Sequence, residues 1–201
     1  NISNCYIESW DDAIVPKTSF SLGYVRSTEH LTVANCVLAT NSNGFKLGTE
    51  SKGDFRHITV SNCVVTPYTS QTNYRTPGGR PISGIALISA DGARIENINI
   101  TNISMKEVRF PIFMQLSNRG RDSDVPVPGA IRNIVISNVT ARHAKIACIV
   151  DGLPGHPLHD LHLDNIKINC FGGGARVAEE REVSEMIGKY PSANRYEDVA
   201  T

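Results

Sequence analysis

What this 201-residue chain lacks narrows the field before any motif is read. No apolar run approaches the roughly 18 residues that a membrane-crossing helix requires. No charged-then-apolar segment of the signal-peptide kind opens it. Neither sign of charge is in excess, because 20 Lys and Arg face 20 Asp and Glu. A neutral chain gives no electrostatic argument for nucleic acid or an acidic membrane surface, so neither is expected as a partner. The five cysteines lack CxxC spacing, and their odd number and wide spread support neither a zinc site nor a disulfide framework. No metal and no cofactor is expected. An initial Met is also missing: the chain begins at Asn1, and the expectation is a processed product or a fragment, incomplete at both ends.

What the chain does contain is a repeat under uneven loops. The pattern apolar-x-apolar-x-Asn-apolar occurs as LTVANC (31–36), ITVSNC (58–63), INITNI (98–103), IVISNV (134–139) and LHLDNI (161–166). ISNC (2–5) reads as the end of another copy. The asparagines are Asn4, Asn35, Asn62, Asn102, Asn138 and Asn165, at spacings of 31, 27, 40, 36 and 27 residues. Each copy alternates apolar and polar, the period of a strand with one buried face. Each Asn is expected to close its strand in a tight bend and to stack on its counterparts as a ladder. A second strand-like run follows most copies: DDAIVPK, NGFKLGTE, SGIALIS, FPIFMQLSN, KIACIVDG.

Short strands repeating about every 30 residues, with no helical periodicity between, predict an all-β right-handed single-stranded parallel β-helix of about six coils. It is expected over residues 1–174. Residues 175–201 are expected to form a C-terminal arm, partly helical or irregular, because ARVAEEREVSEMIGKY (175–190) is charged and helix-like. Cys5, Cys36 and Cys63 follow ladder asparagines and are expected to stack inside as small hydrophobes. The glycosylation triplets at Asn99, Asn102 and Asn138 read as strand and ladder residues. An open β-helix end exposes unpaired backbone, so a homo-oligomer that caps the open ends is also expected.

With the second strands in register, NCYIESWDDAIV followed one coil later by SNGFKLGTES resembles glycoside hydrolase family 28, the polygalacturonases and their pectin-lyase-like relatives. That resemblance implies an inverting hydrolase of pectic polysaccharide, with a secreted or periplasmic location. It matches Asp11 and Asp12 to the family's Asp-Asp pair. Asp11 would be the general acid that protonates the leaving oxygen, and Asp12 would help to activate the water. Inversion needs carboxyls roughly 6.5–9.5 Å apart with room for that water, and adjacent carboxylates push each other's pKa values apart. Taken without the coil context, the pair reads as a solvated turn with two acids.

Departures from the family pattern are also legible. Its first Asp motif would lie upstream of Asn1. Asn43 stands where the family has a His, and Ala86-Leu87-Ile88 replaces its Arg-Ile-Lys. Val15, Lys46, Ala86 and Phe113 are expected in one column on successive coils. Lys46 therefore either holds an acidic group on the sugar, pairs with Asp12, or is a solvated strand lysine. Phe113 either stacks on a sugar or covers the apolar patch at Ala86. Arg119 and Arg121 lie on a long loop, where they either reach an anionic polysaccharide or are solvated loop arginines. The alternative to a hydrolase is a truncated, non-catalytic β-helix that binds polysaccharide or self-associates.

Overall fold

A computed structural model describes residues 1–68, 79–121, 123–146, 148–172 and 183–199. The chain is nearly all β, and every pairing between its strands is parallel. Two sheets share the strands. The larger follows the order β1 (Ile2–Ser3), β4 (Thr32–Ala34), β7 (Phe55–Pro67), β9 (Arg94–Lys106), β11 (Ala130–Ala144), β13 (His159–Cys170). At its side β2 (Tyr6–Ser9) pairs with β5 (Val37–Thr40), while β5 and β3 (Thr28–Glu29) both pair with β7. The smaller sheet holds β6 (Asn43–Leu47), β8 (Ser83–Ser89), β10 (Phe110–Leu116) and β12 (Cys148–Asp151) in that order. From β5 onward the chain alternates strictly between the two sheets.

The predicted register is the observed one. Val33 lies opposite Val60, Val60 opposite Ile100, Ile100 opposite Ile136 and Ile136 opposite Leu163. The asparagines form the expected ladder: Asn35, Asn62, Asn102 and Asn165 each donate from Nδ2 to Oδ1 of the Asn one rung earlier, at 3.2, 3.3, 3.0 and 2.7 Å. All six take the left-handed conformation, with φ between 49° and 56°, which a short polar side chain tolerates.

The expectation that each Asn closes its strand holds at Asn4, between β1 and β2, and at Asn35, between β4 and β5. In β7, β9, β11 and β13 the ladder continues through the Asn. A single left-handed residue turns the chain without interrupting the hydrogen bonds on either side. A second left-handed column stands five residues earlier, at His30, His57, Asn97, Asn133 and Asp160. The two columns break the alternation into a five-residue rhythm. Inward residues of β7 are Phe55, Ile58, Val60, Cys63 and Val65, and those of β9 are Ile95, Ile98, Ile100, Ile103 and Met105.

These side chains meet Phe45, Leu47, Ile85, Leu87, Ile112 and Met114 of the smaller sheet in one core between the sheets. Cys36 and Cys63 are buried there as expected, at 1% and 2% exposure. Cys5 is exposed, because it stands on the terminal rung formed by β1 and β2.

The other face of the smaller sheet is apolar too. Val15, Lys46, Ala86 and Phe113 form the expected column, which Ile149 continues. Ala86, Ile88, Phe110 and Phe113 are buried on that side beneath Met186, Ala193 and Tyr196 of the C-terminal segment. Of the stretch with the helix-like pattern, 175–182 lies outside the described residues. Residues 183–190 run as irregular chain, and a 3₁₀ helix follows at Ala193–Val199. The segment is held by polar contacts as well. Gln115 Nε2 donates to Ser184 O and Tyr196 Oη, Ser117 Oγ to the carbonyls of Glu185 and Met186, and Gly188 N to Asn118 O.

Candidate active site

Asp11 and Asp12 follow β2 after Trp10. Asp11 N donates to Ser9 Oγ, and Asp12 N to Asp11 Oδ1 at 3.0 Å, so the pair sits in a tight turn of the kind short polar side chains stabilise. Thr40 Oγ1 clamps the turn by donating to Asp11 O. The chain then joins β6: Ala13 N and Ile14 N donate to the carbonyls of Asn43 and Gly44. That pairing fixes Asp12 over the start of β6.

The two carboxylates have different surroundings. Asp12 has a side chain only 8% exposed. Its Oδ1 accepts from Ser42 Oγ at 2.7 Å, from Asn43 N at 3.2 Å and from Asn43 Nδ2. Its Oδ2 faces Lys46 Nζ at 3.1 Å. Of the readings open for Lys46, pairing with Asp12 is the observed one. Burial works against the Lys46 ammonium, but the Asp12 charge and the Tyr190 hydroxyl, 3.2 Å away, hold its pKa above the ordinary 10.5. Asp11 is exposed, as is Trp10 before it, whose ring stands edge-on to Tyr68 at 6.4 Å.

A pocket of about 450 Å³ opens over this group. Asp11, Asp12, Lys17, Ser42, Asn43 and Lys46 line one side, and Tyr190, Ser192, Asn194 and Arg195 of the C-terminal segment line the other. Asn43 thus belongs to the site, as a donor to Asp12 and an acceptor from Ser83 Oγ. Arg195 and Lys17 also line the pocket, Lys17 with its Nζ paired to Glu50 Oε2 at 3.0 Å. Among the described residues, no group of three or more His, Cys, Asp or Glu side chains could hold a metal ion.

Three expectations change. Phe113 is fully buried and tilted against Tyr196 at 5.9 Å, so it offers no face to a sugar and acts as cover for Ala86. Arg119 does not reach outward: its Nε and Nη2 grip the Asp91 carboxylate, Nη2 also meets Thr49 O, and its side chain is 10% exposed. Burial would raise the pKa of Asp91, but the Arg119 bonds and the backbone N–H groups of Arg121 and Ser51 hold it below 3.8. Arg121 is half-exposed, points Nη1 at Glu50 Oε1 from 3.4 Å, and does not line the pocket.

Tyr190 joins the two charged clusters, with Lys46 Nζ 5.6 Å and the Arg119 guanidinium 5.4 Å from its ring centre. Sequence reading missed Tyr190, Ser192, Asn194 and Arg195. The one available signal was the apolar outward column at Ala86, Ile88 and Phe113, which demands a cover without naming it. Compared with protein-family models, with curated proteins and with solved structures, the chain matches none.

Proposed function

We propose that the chain is a glycoside hydrolase of the family 28 type, acting on a pectic polysaccharide or oligosaccharide with inversion. Its two parallel sheets are read as walls of a right-handed β-helix of about six coils, supported by the recurring 27- to 40-residue register between rungs. The observation that carries the function is the asymmetry of the acid pair. An exposed Asp11 and a Lys46-held Asp12 share one pocket with Lys17 and Arg195.

In this reading the Asp11 carboxyl gives its proton to the glycosidic oxygen as the bond to the anomeric carbon breaks. Asp12 Oδ1 is saturated by three donors, while Oδ2 has Lys46 on one side and keeps a lone pair for water. That water adds from the face opposite the departing oxygen and leaves its proton on Asp12. Arg195 suits an acidic sugar, while Lys17 of the same pocket is held by Glu50 Oε2 at 3.0 Å.

The test is reducing-end release from a panel of pectic and neutral polysaccharides, with Asp11→Asn beside the parent. Loss of a positioned general acid lowers the rate by about 10²–10⁴-fold. Release by the parent that persists in Asp11→Asn refutes the assignment.

A second reading, polysaccharide binding without turnover, is favoured by the burial and near-complete hydrogen bonding of Asp12, which leave Asp11 as the well-exposed carboxylate in the pocket. It predicts binding by the parent and no reducing-end release.

A further inference from the structure

We infer that the C-terminal segment makes this site a closed-ended pocket that takes one end of a sugar chain, not a cleft that a polymer crosses. The inference rests on the carbohydrate reading above and deepens it. A chain lying through the site would have to run along the outer face of the smaller sheet, past the column from Lys46 through Ala86 and Phe113 to Ile149. That face is occupied. Ala86 and Phe113 are completely buried beneath Ala193 and Tyr196.

The cover is anchored at both ends of its described course. Ser184 O and Tyr196 Oη converge on the buried Gln115 amide, and Ser117 Oγ holds the carbonyls of Glu185 and Met186. Between these anchors the Tyr190 hydroxyl accepts from Lys46 and its ring lies against Arg119, so the wall of the pocket is joined through Lys46 to Asp12. Among the described residues, what remains open is the space over Asp11 and Lys17, both exposed. Its volume of about 450 Å³ is near the small end of the roughly 300–1,000 Å³ of single-ligand pockets. Hydrolysis in such a pocket releases short units from a chain end.

The experiment titrates the Asp11→Asn variant with oligogalacturonates and rhamnogalacturonan oligosaccharides of one to six residues, while the products of the parent are followed. The inference expects affinity to level off by two or three residues, with changes within about twofold beyond. Single sugars or the shortest units appear first, and polymer viscosity barely falls. Tyr190→Ala, which removes the wall, is expected to restore a gain in affinity from trimer to hexamer.

Affinity that climbs steadily to the hexamer in the unaltered wall overturns the closed pocket, whether or not sugar is cleaved. An unchanged plateau in Tyr190→Ala overturns the segment as its cause. A plateau without turnover by the parent leaves the pocket standing and removes the hydrolase reading. No binding of any probe overturns both.

Discussion

The Asp12–Lys46 pair gives the sharpest test of the site's construction. Both side chains are nearly out of solvent, at 8% and 5% exposure, so the screening that reduces surface ion pairs to about 0–1 kcal/mol does not apply. Removing one partner of a buried pair leaves the other charged and uncompensated, at a cost of about 3–5 kcal/mol. Lys46→Met keeps most of the side-chain volume and strands the Asp12 carboxylate among Ser42 and Asn43. Asp12→Asn strands the ammonium, which keeps the Tyr190 hydroxyl and should cost less. Removing both charges together should be milder than Lys46→Met alone, because a buried pair and its apolar replacement are often close in stability. For a chain of this size, about 1 kcal/mol corresponds to about 2–4 °C, so Lys46→Met should lower Tm by about 6–20 °C. Urea midpoints of the parent, both single variants and the double variant give the coupling energy. Because the pKa of Lys46 is raised in the folded chain, its contribution is present at neutral pH and is lost only as pH rises through a value above 10.5. A Lys46→Met cost below about 1 kcal/mol, or a double variant worse than both singles added, would refute the buried-pair account.

Two further outcomes follow from other parts of the fold. Asn62→Ala removes two rungs of the ladder and puts a Cβ-bearing residue without a polar side chain at φ 54°. It should destabilise by about 1–2 kcal/mol in urea, and Asn62→Gly by less, because glycine carries no left-handed penalty; equal losses would show that the ladder bonds dominate. The Asp91 carboxyl, held below 3.8 mainly against its own burial by Arg119, contributes stability that is present above 3.8 and is lost as pH falls through its lower folded value. Asp91→Asn should therefore lose less stability between about pH 5 and pH 3 than the parent, and parallel acid-titration curves would contradict this.

The sequence by itself determined the rungs. Alternation with an Asn at a fixed place is a local pattern, and each copy repeats it, so the register of Val33, Val60, Ile100, Ile136 and Leu163 is legible from spacing alone. The outward column of Val15, Lys46, Ala86 and Phe113 is legible for the same reason, since a strand's side-chain period is two whatever the loop lengths between strands. The second bend column is not. His30, His57, Asn97, Asn133 and Asp160 are all of types that tolerate the left-handed region, but no fixed residue marks the column as Asn marks the ladder. Only the structure shows His30 stacked on His57 and Asn133 donating to Asn97.

Tertiary structure alone decided what the outward column meets. Nothing in residues 183–196 announces a cover. Their sequence carries neither the repeat nor a strand alternation, and their contacts are made by Met186, Ala193 and Tyr196 and by backbone carbonyls that accept from Gln115 and Ser117. Phe113 became core and Arg119 an internal partner of Asp91 because that segment and the turn at Asp91 reach them from far along the chain. Asp11 and Asp12, neighbours in sequence and alike in charge, were separated into an exposed acid and a buried anchor by a lysine 34 residues away from Asp12. Local pattern fixes which way a side chain points, but burial and charge partners depend on what long-range packing brings to that face.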